Sequence, residues 1–122
     1  LAPGDHGTTY GGNPFVCAAV SKVFDLYEKE QIVDHVKKVG GYLEQKLNAL
    51  VEKYDFLKER RGKGLIQGLE VEGRPIGEIV NRGLEEGLII ITAGSNVLRF
   101  VPPLVVTEAD VDEMITKLEK CF

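Results

Sequence analysis

The sequence predicts an α+β fold, and three observations carry that prediction. Apolar residues recur every three or four positions along residues 32–54, the period changes toward two over residues 64–71 and 96–101, and glycine or proline punctuates each change. The order that follows is helix, helix, strand, helix, strand, strand, helix, which makes an about three-stranded antiparallel sheet with helices packed mainly on one face.

Each element has its own reason. Pro14 suits a first helical turn because its φ is fixed and it lacks an N–H, and Asn13 before it is placed to cap the free amides. Phe15, Ala19, Val23 and Leu26 then give a helix over residues 14–28 with one buried stripe. Ile32, Val36, Val39, Leu43, Leu47, Leu50 and Tyr54 form the clearest amphipathic pattern, and Gly40-Gly41 inside it costs about 1 kcal/mol per glycine relative to alanine, so close packing or a bend is expected there. Residues 64–71 read as a strand with Leu65, Leu69 and Val71 on one face, and Gly73 as a turn. A helix over residues 75–86 turns Ile76, Ile79, Val80 and Leu84 inward and stops at Gly87. Strands 88–92 and 96–101 form a hairpin that Pro102-Pro103 ends, since proline offers no N–H. Thr107 and Asp110 resemble a capping box that opens the last helix, whose buried stripe is Val111, Met114, Ile115 and Leu118.

At 122 residues the chain can bury about two thirds of the surface its unfolded form exposes, enough for one core. A formal charge of −4 argues against nucleic acid or an anionic membrane surface as partner. No apolar run is long enough to cross a bilayer and no signal peptide is seen, so a cytoplasmic location is expected. Cys17 and Cys121 are too few for a zinc motif or a disulfide framework; Cys17 is read as core packing, and no metal site is predicted. The chain starts Leu1-Ala2-Pro3-Gly4 and its only methionine is Met114, which suggests a fragment of a longer product.

The richest stretch for function is His6-Gly7-Thr8-Thr9-Tyr10-Gly11-Gly12-Asn13-Pro14, two hydroxyls and three glycines directly before a helix. A helix N-terminus carries partial positive charge and unpaired donors, so backbone amides and threonine hydroxyls can hold a phosphate there without a basic residue. This stretch, continued by Phe15-Val16-Cys17-Ala18-Ala19, resembles the H-G-(S/T)-T-(Y/F)-G-G-N-P signature of class III aminotransferases, which are fold-type I enzymes using pyridoxal phosphate. Arg61-Gly62-Lys63-Gly64-Leu65-Ile66-Gln67-Gly68-Leu69 is similar to that family's R-G-x-G-L-x-x-G strand, and Val97-Leu98-Arg99-Phe100-Val101-Pro102-Pro103-Leu104 to its V-L-R-F-x-P-P-L block. The three blocks stand in the family's order and span nearly the whole chain.

The resemblance implies the C-terminal small domain of such an enzyme, residues 31–122, preceded by a phosphate-contact loop and leading helix, residues 1–30. It implies that Thr9 contacts the cofactor phosphate across a homodimer interface, with Thr8 adding a second hydroxyl or amide, and that Arg99 meets a substrate carboxylate or a glutamate outside this chain. The lysine that carries the cofactor would lie upstream of the loop, so no catalytic residue is assigned here and the chain alone should be inactive. The implied substrates are amino acids and 2-oxo acids. N-acetylornithine and 2-oxoglutarate, in arginine biosynthesis, come first; ornithine, 4-aminobutyrate or succinyldiaminopimelate enzymes are alternatives. A free-standing amino-acid-binding regulatory module is the reading from another class, and it fits poorly because such modules normally show two βαβ units.

The remaining residues are read as structural. Arg99 lies on a strand whose two faces both look apolar, so its guanidinium wants a partner or must reach solvent along its own stem. Tyr10 is expected to pack, His6 to shape the loop and His35 to be exposed. Lys58, Glu59, Arg60 and Arg61 read as a solvated helix end without function.

Overall fold

The computed structural model describes residues 2–122 and divides the chain into two compact units, one ending at Val33 and one spanning Asp34–Phe122. In the first, helix α1 runs Pro14–Lys29 with Asn13 as its cap. None of its residues is buried, and Phe15 is 83% exposed, so the stripe expected to be covered is open to solvent in this chain. Cys17 is exposed as well, not a core residue.

The second unit holds the sheet. Helix α2 (Ile32–Lys53) leads to strands β1 (Leu57–Lys63) and β2 (Ile66–Val71), helix α3 (Ile76–Glu85), strands β3 (Ile91–Ala93) and β4 (Val97–Phe100), and helix α4 (Glu108–Lys120). The four strands lie in the order β1-β2-β4-β3, every neighbouring pair antiparallel. One strand more is present than the sequence pattern predicts. Residues 58–61 are not a helix end but the middle of β1, an edge strand whose charged side chains hid its alternation.

Period two in β2 and β4 sorts their side chains onto two faces. Leu69 and Val71 of β2 and Leu98 and Phe100 of β4 are buried on the inner face. There they join Val39, Leu43, Leu47 and Leu50 of α2, Ile79 of α3, and Val111 and Leu118 of α4 in one core. Each such leucine contributes about 1.5–3 kcal/mol by leaving water. Leu84 is exposed instead of inward; Gly83 takes the buried position on α3, where a Cβ would stand 2.9 Å from the Leu88 carbonyl. The first hairpin is also tied to α2. Gly40 lies so close to Gly64 that a Cβ would meet its backbone at 2.8 Å, which explains one glycine of the Gly40-Gly41 pair. Gln67, 1% exposed, donates to the Gly40 carbonyl at 3.0 Å and the Gly64 carbonyl at 2.7 Å. Arg60 closes the network by binding Glu44 at 2.7 Å and Asn48 at 3.0 Å.

At the far side, Thr107 caps α4 in a complete capping box with Asp110. His35 is half-buried rather than exposed: its Nε2 is 2.8 Å from the Val106 carbonyl, pinning the chain just ahead of that cap.

Candidate functional site

In the opening loop, Gly12 takes φ 73°, a conformation glycine adopts without penalty, and Asn13 then swings extended to start α1. Asn13 accepts the Val16 N–H at 3.0 Å through its side chain and the Cys17 N–H at 3.0 Å through its carbonyl, while its amide donates to the Tyr10 carbonyl at 2.7 Å. The helix amides expected to face the loop are therefore largely taken by the cap. Pro14 has none, and Phe15 alone keeps a first-turn N–H without a partner among the described residues. The free donors lie instead in the loop itself. Thr8 and Thr9 are exposed, and neither their hydroxyls nor the backbone amides of residues 6–12 find a partner among the described residues. Hydroxyls plus amides, with no lysine or arginine in the segment, suit the oxygens of a phosphate ester. Tyr10 is 79% exposed and His6 is exposed, so neither packs within this chain.

Arg99 lies in the second unit, on the outer face of the sheet. Its neighbours there are not uniformly apolar: Glu59, Arg61, Glu70 and Val97 share the face, and Arg99 itself is exposed. No ion pair or side-chain hydrogen bond among the described residues involves it. Gly68 of β2 pairs with Arg99 on one side and with Arg61 on the other. Arg61 binds Glu59 at 2.9 Å and also grips Glu70. Its guanidinium is held above the ordinary arginine range, first by the Glu59 hydrogen bond and then by the charge of Glu70. Asn96, in the β3–β4 turn, donates to the other Glu70 oxygen at 2.9 Å. Beside Arg99 opens a groove of about 410 Å³ lined mainly by apolar side chains, among them Ile89, Ile91, Phe100, Pro103 and Met114.

The family of the chain is decided by comparison with known proteins. The family model for aminotransferase class III matches residues 1–122. The chain belongs to the class III aminotransferase family. It is 46% identical over 117 residues to the acetylornithine aminotransferase of Caldanaerobacter subterraneus subsp. tengcongensis, covering 96% of this chain and 30% of that protein. Among solved structures it resembles the acetylornithine aminotransferase of Elizabethkingia anophelis, with TM-score 0.86 and 30% identity over 99% of this chain and 31% of that one. It also resembles the ornithine aminotransferase of Toxoplasma gondii, crystallised with partial occupancy of PLP at the active site, with TM-score 0.82 and 31% identity over 99% of this chain and 29% of that one. The chain thus spans about 30% of the length of the relatives it matches.

Within this class III aminotransferase chain the resembling blocks acquire physical reasons. The Arg61-Gly62-Lys63-Gly64 block is the end of β1 and the start of the β1–β2 turn, where Gly62 and Gly64 take φ 117° and 59°. The Val97–Phe100 block is the strand that presents Arg99 outward and Leu98 and Phe100 inward. Sequence reading missed Arg61, Glu70 and Asn96, which became visible only once β1 was placed beside β2. The alternation of Glu59 and Arg61 with half-buried Arg60 was the available signal. No helix of the described residues is long and apolar enough to cross a membrane.

Proposed function

We propose that this chain is the C-terminal part of a cytoplasmic, homodimeric aminotransferase of arginine biosynthesis that moves an amino group between N-acetylornithine and 2-oxoglutarate. Two segments would serve the reaction. Thr9, with Thr8 beside it, would hold the phosphate of pyridoxal phosphate, and the loop would complete the site of the neighbouring protomer. Arg99 would hold a substrate carboxylate, for which a planar guanidinium with two parallel donors is suited. When bound, pyridoxal phosphate supplies the electron sink of the transfer; the protein supplies position and charge. The carrying lysine would be contributed from outside these residues.

The observation that carries this reading is the 46% identity with an acetylornithine aminotransferase across 96% of the chain. The free hydroxyls of Thr8 and Thr9 and the unpaired Arg99 support it, because each leaves a group ready for an anion from outside. The test is an assay of the complete protein with N-acetylornithine, ornithine, 4-aminobutyrate and succinyldiaminopimelate as donors to 2-oxoglutarate. The highest kcat/KM is expected with N-acetylornithine. A clear preference for ornithine, the substrate named for the Toxoplasma gondii neighbour, would move the protein to that activity. For the loop, Thr9→Val should lower the pyridoxal phosphate retained per protomer after gel filtration, and unchanged retention would remove Thr9 from the site.

A further inference from the structure

The outer face of the sheet contains two arginines in equivalent positions and one carboxylate that both could reach. Arg61 on β1 and Arg99 on β4 each pair with Gly68 of β2, so Glu70, two residues along β2, is the same diagonal neighbour to both. Diagonal neighbours in an antiparallel sheet lie about 7–8 Å apart, within reach of long side chains. Only Arg61 takes the carboxylate. Asn96 holds its second oxygen at 2.9 Å from the end of β4 that lies away from Arg99, opposite Val71. The other acid of this face, Glu59, is bound by Arg61 and separated from β4 by the whole of β2. Glu70 is thus the acid of this face that lies diagonal to Arg99, while Asp110, which lines the same groove as Arg99, is held by Thr107.

We infer that Arg61, with Asn96, is a positioning residue for substrate binding: it sequesters Glu70 so that the Arg99 guanidinium stays free for a carboxylate from outside the chain. The inference rests on the Arg99 reading above and goes beyond it, because it assigns a role to residues that touch neither substrate nor cofactor. Without Arg61, Glu70 turns to Arg99, its diagonal neighbour on β4, and a substrate carboxylate must displace it.

The experiment uses the complete protein, with KM for 2-oxoglutarate and the dissociation constant of the unreactive dicarboxylate glutarate as readouts. Arg99→Gln comes first, since unchanged constants there would end the Arg99 reading itself. Given a loss at Arg99, Arg61→Gln should raise both constants about fivefold, the scale of a partly exposed ion pair, with kcat little changed. Adding Glu70→Gln in the Arg61→Gln background should restore both to within about twofold of the starting protein. Asn96→Leu should give a smaller rise that Glu70→Gln also cancels, and it carries the test if Arg61→Gln fails to fold. A purely architectural Arg61 predicts a lower melting temperature without rescue by Glu70→Gln. That outcome, or constants unchanged in both single variants, overturns the inference while leaving the Arg99 reading intact.

Discussion

The two sides of β2 are built to opposite ends. On the β1 side the arginines and the buried glutamine are bound within the chain: Arg61 binds Glu59 and Glu70, Arg60 binds Glu44 and Asn48, and Gln67 joins Gly40 to Gly64. On the β4 side Arg99 has no partner among the described residues, and Ile91 and Val101 are 43% and 54% exposed beside an apolar groove. Both strands meet the same stretch of β2, so the difference does not come from the backbone. It lies in what each side chain is given to bind. Polar groups bound within the chain hold the fold, and an unpaired guanidinium leaves its donors open to an anion.

The contrast can be broken most sharply at Gly40. A methyl there meets the Gly64 backbone, which cannot yield as a side chain would, so Gly40→Ala should destabilise the protein by about 1–3 kcal/mol in denaturant unfolding. Gly41→Ala, which meets nothing within 4 Å, should be neutral or slightly stabilising. A similar loss at both positions would show that helix propensity, not the close approach to the hairpin, governs the site.

Next in size is the α4 cap. Thr107→Ala removes the acceptor for the Asp110 N–H at 3.2 Å and should cost about 1 kcal/mol in the same measurement. Acidification probes the same helix without mutation. Thr107 holds the Asp110 carboxyl below the ordinary aspartate range, Lys46 and then Tyr42 do the same for Asp112, and Lys53 does so for Glu119. A carboxyl whose pKa is lower folded than unfolded contributes its stability at neutral pH and loses it as pH falls through the folded value. Melting temperature should therefore be level near neutrality and decline below about pH 4. Asp112→Asn should flatten part of that decline, and an unaltered profile would remove the α2–α4 pairs from the account. The smallest stability change is expected on the open side, where Arg99→Gln should alter unfolding by less than about 0.5 kcal/mol because no side-chain bond to Arg99 is seen among the described residues.

Where burial alone decides structure, the sequence was legible. The α2 stripe, the Thr107–Asp110 cap and the shared face of Leu69 and Val71 follow from periodicity and cap chemistry, whereas the strand of Arg99 looked apolar on both faces and only the structure turns Leu98 and Phe100 inward. Amphipathic spacing marks a face that can be buried but not what covers it, so α1 was given a buried stripe that stands exposed. Strand β1 was missed because Lys58, Glu59, Arg60 and Arg61 are all charged and find partners on β1 itself, on or just after β2, and on α2, so charge masked the two-residue period. His35 illustrates the same limit. Its partner is a backbone carbonyl 71 residues away, which no local pattern announces. Thr8, Thr9 and Arg99 were singled out by resemblance to a family, and no side-chain partner of theirs is seen among the described residues.

The account depends most on Arg99 being a free guanidinium that holds a carboxylate supplied from outside. Titrating glutarate into the complete protein and its Arg99→Gln variant by calorimetry tests this directly. Loss of a charge-assisted pair should weaken binding about 10- to 100-fold while the melting temperature stays constant. Equal affinity in the two proteins would contradict the claim.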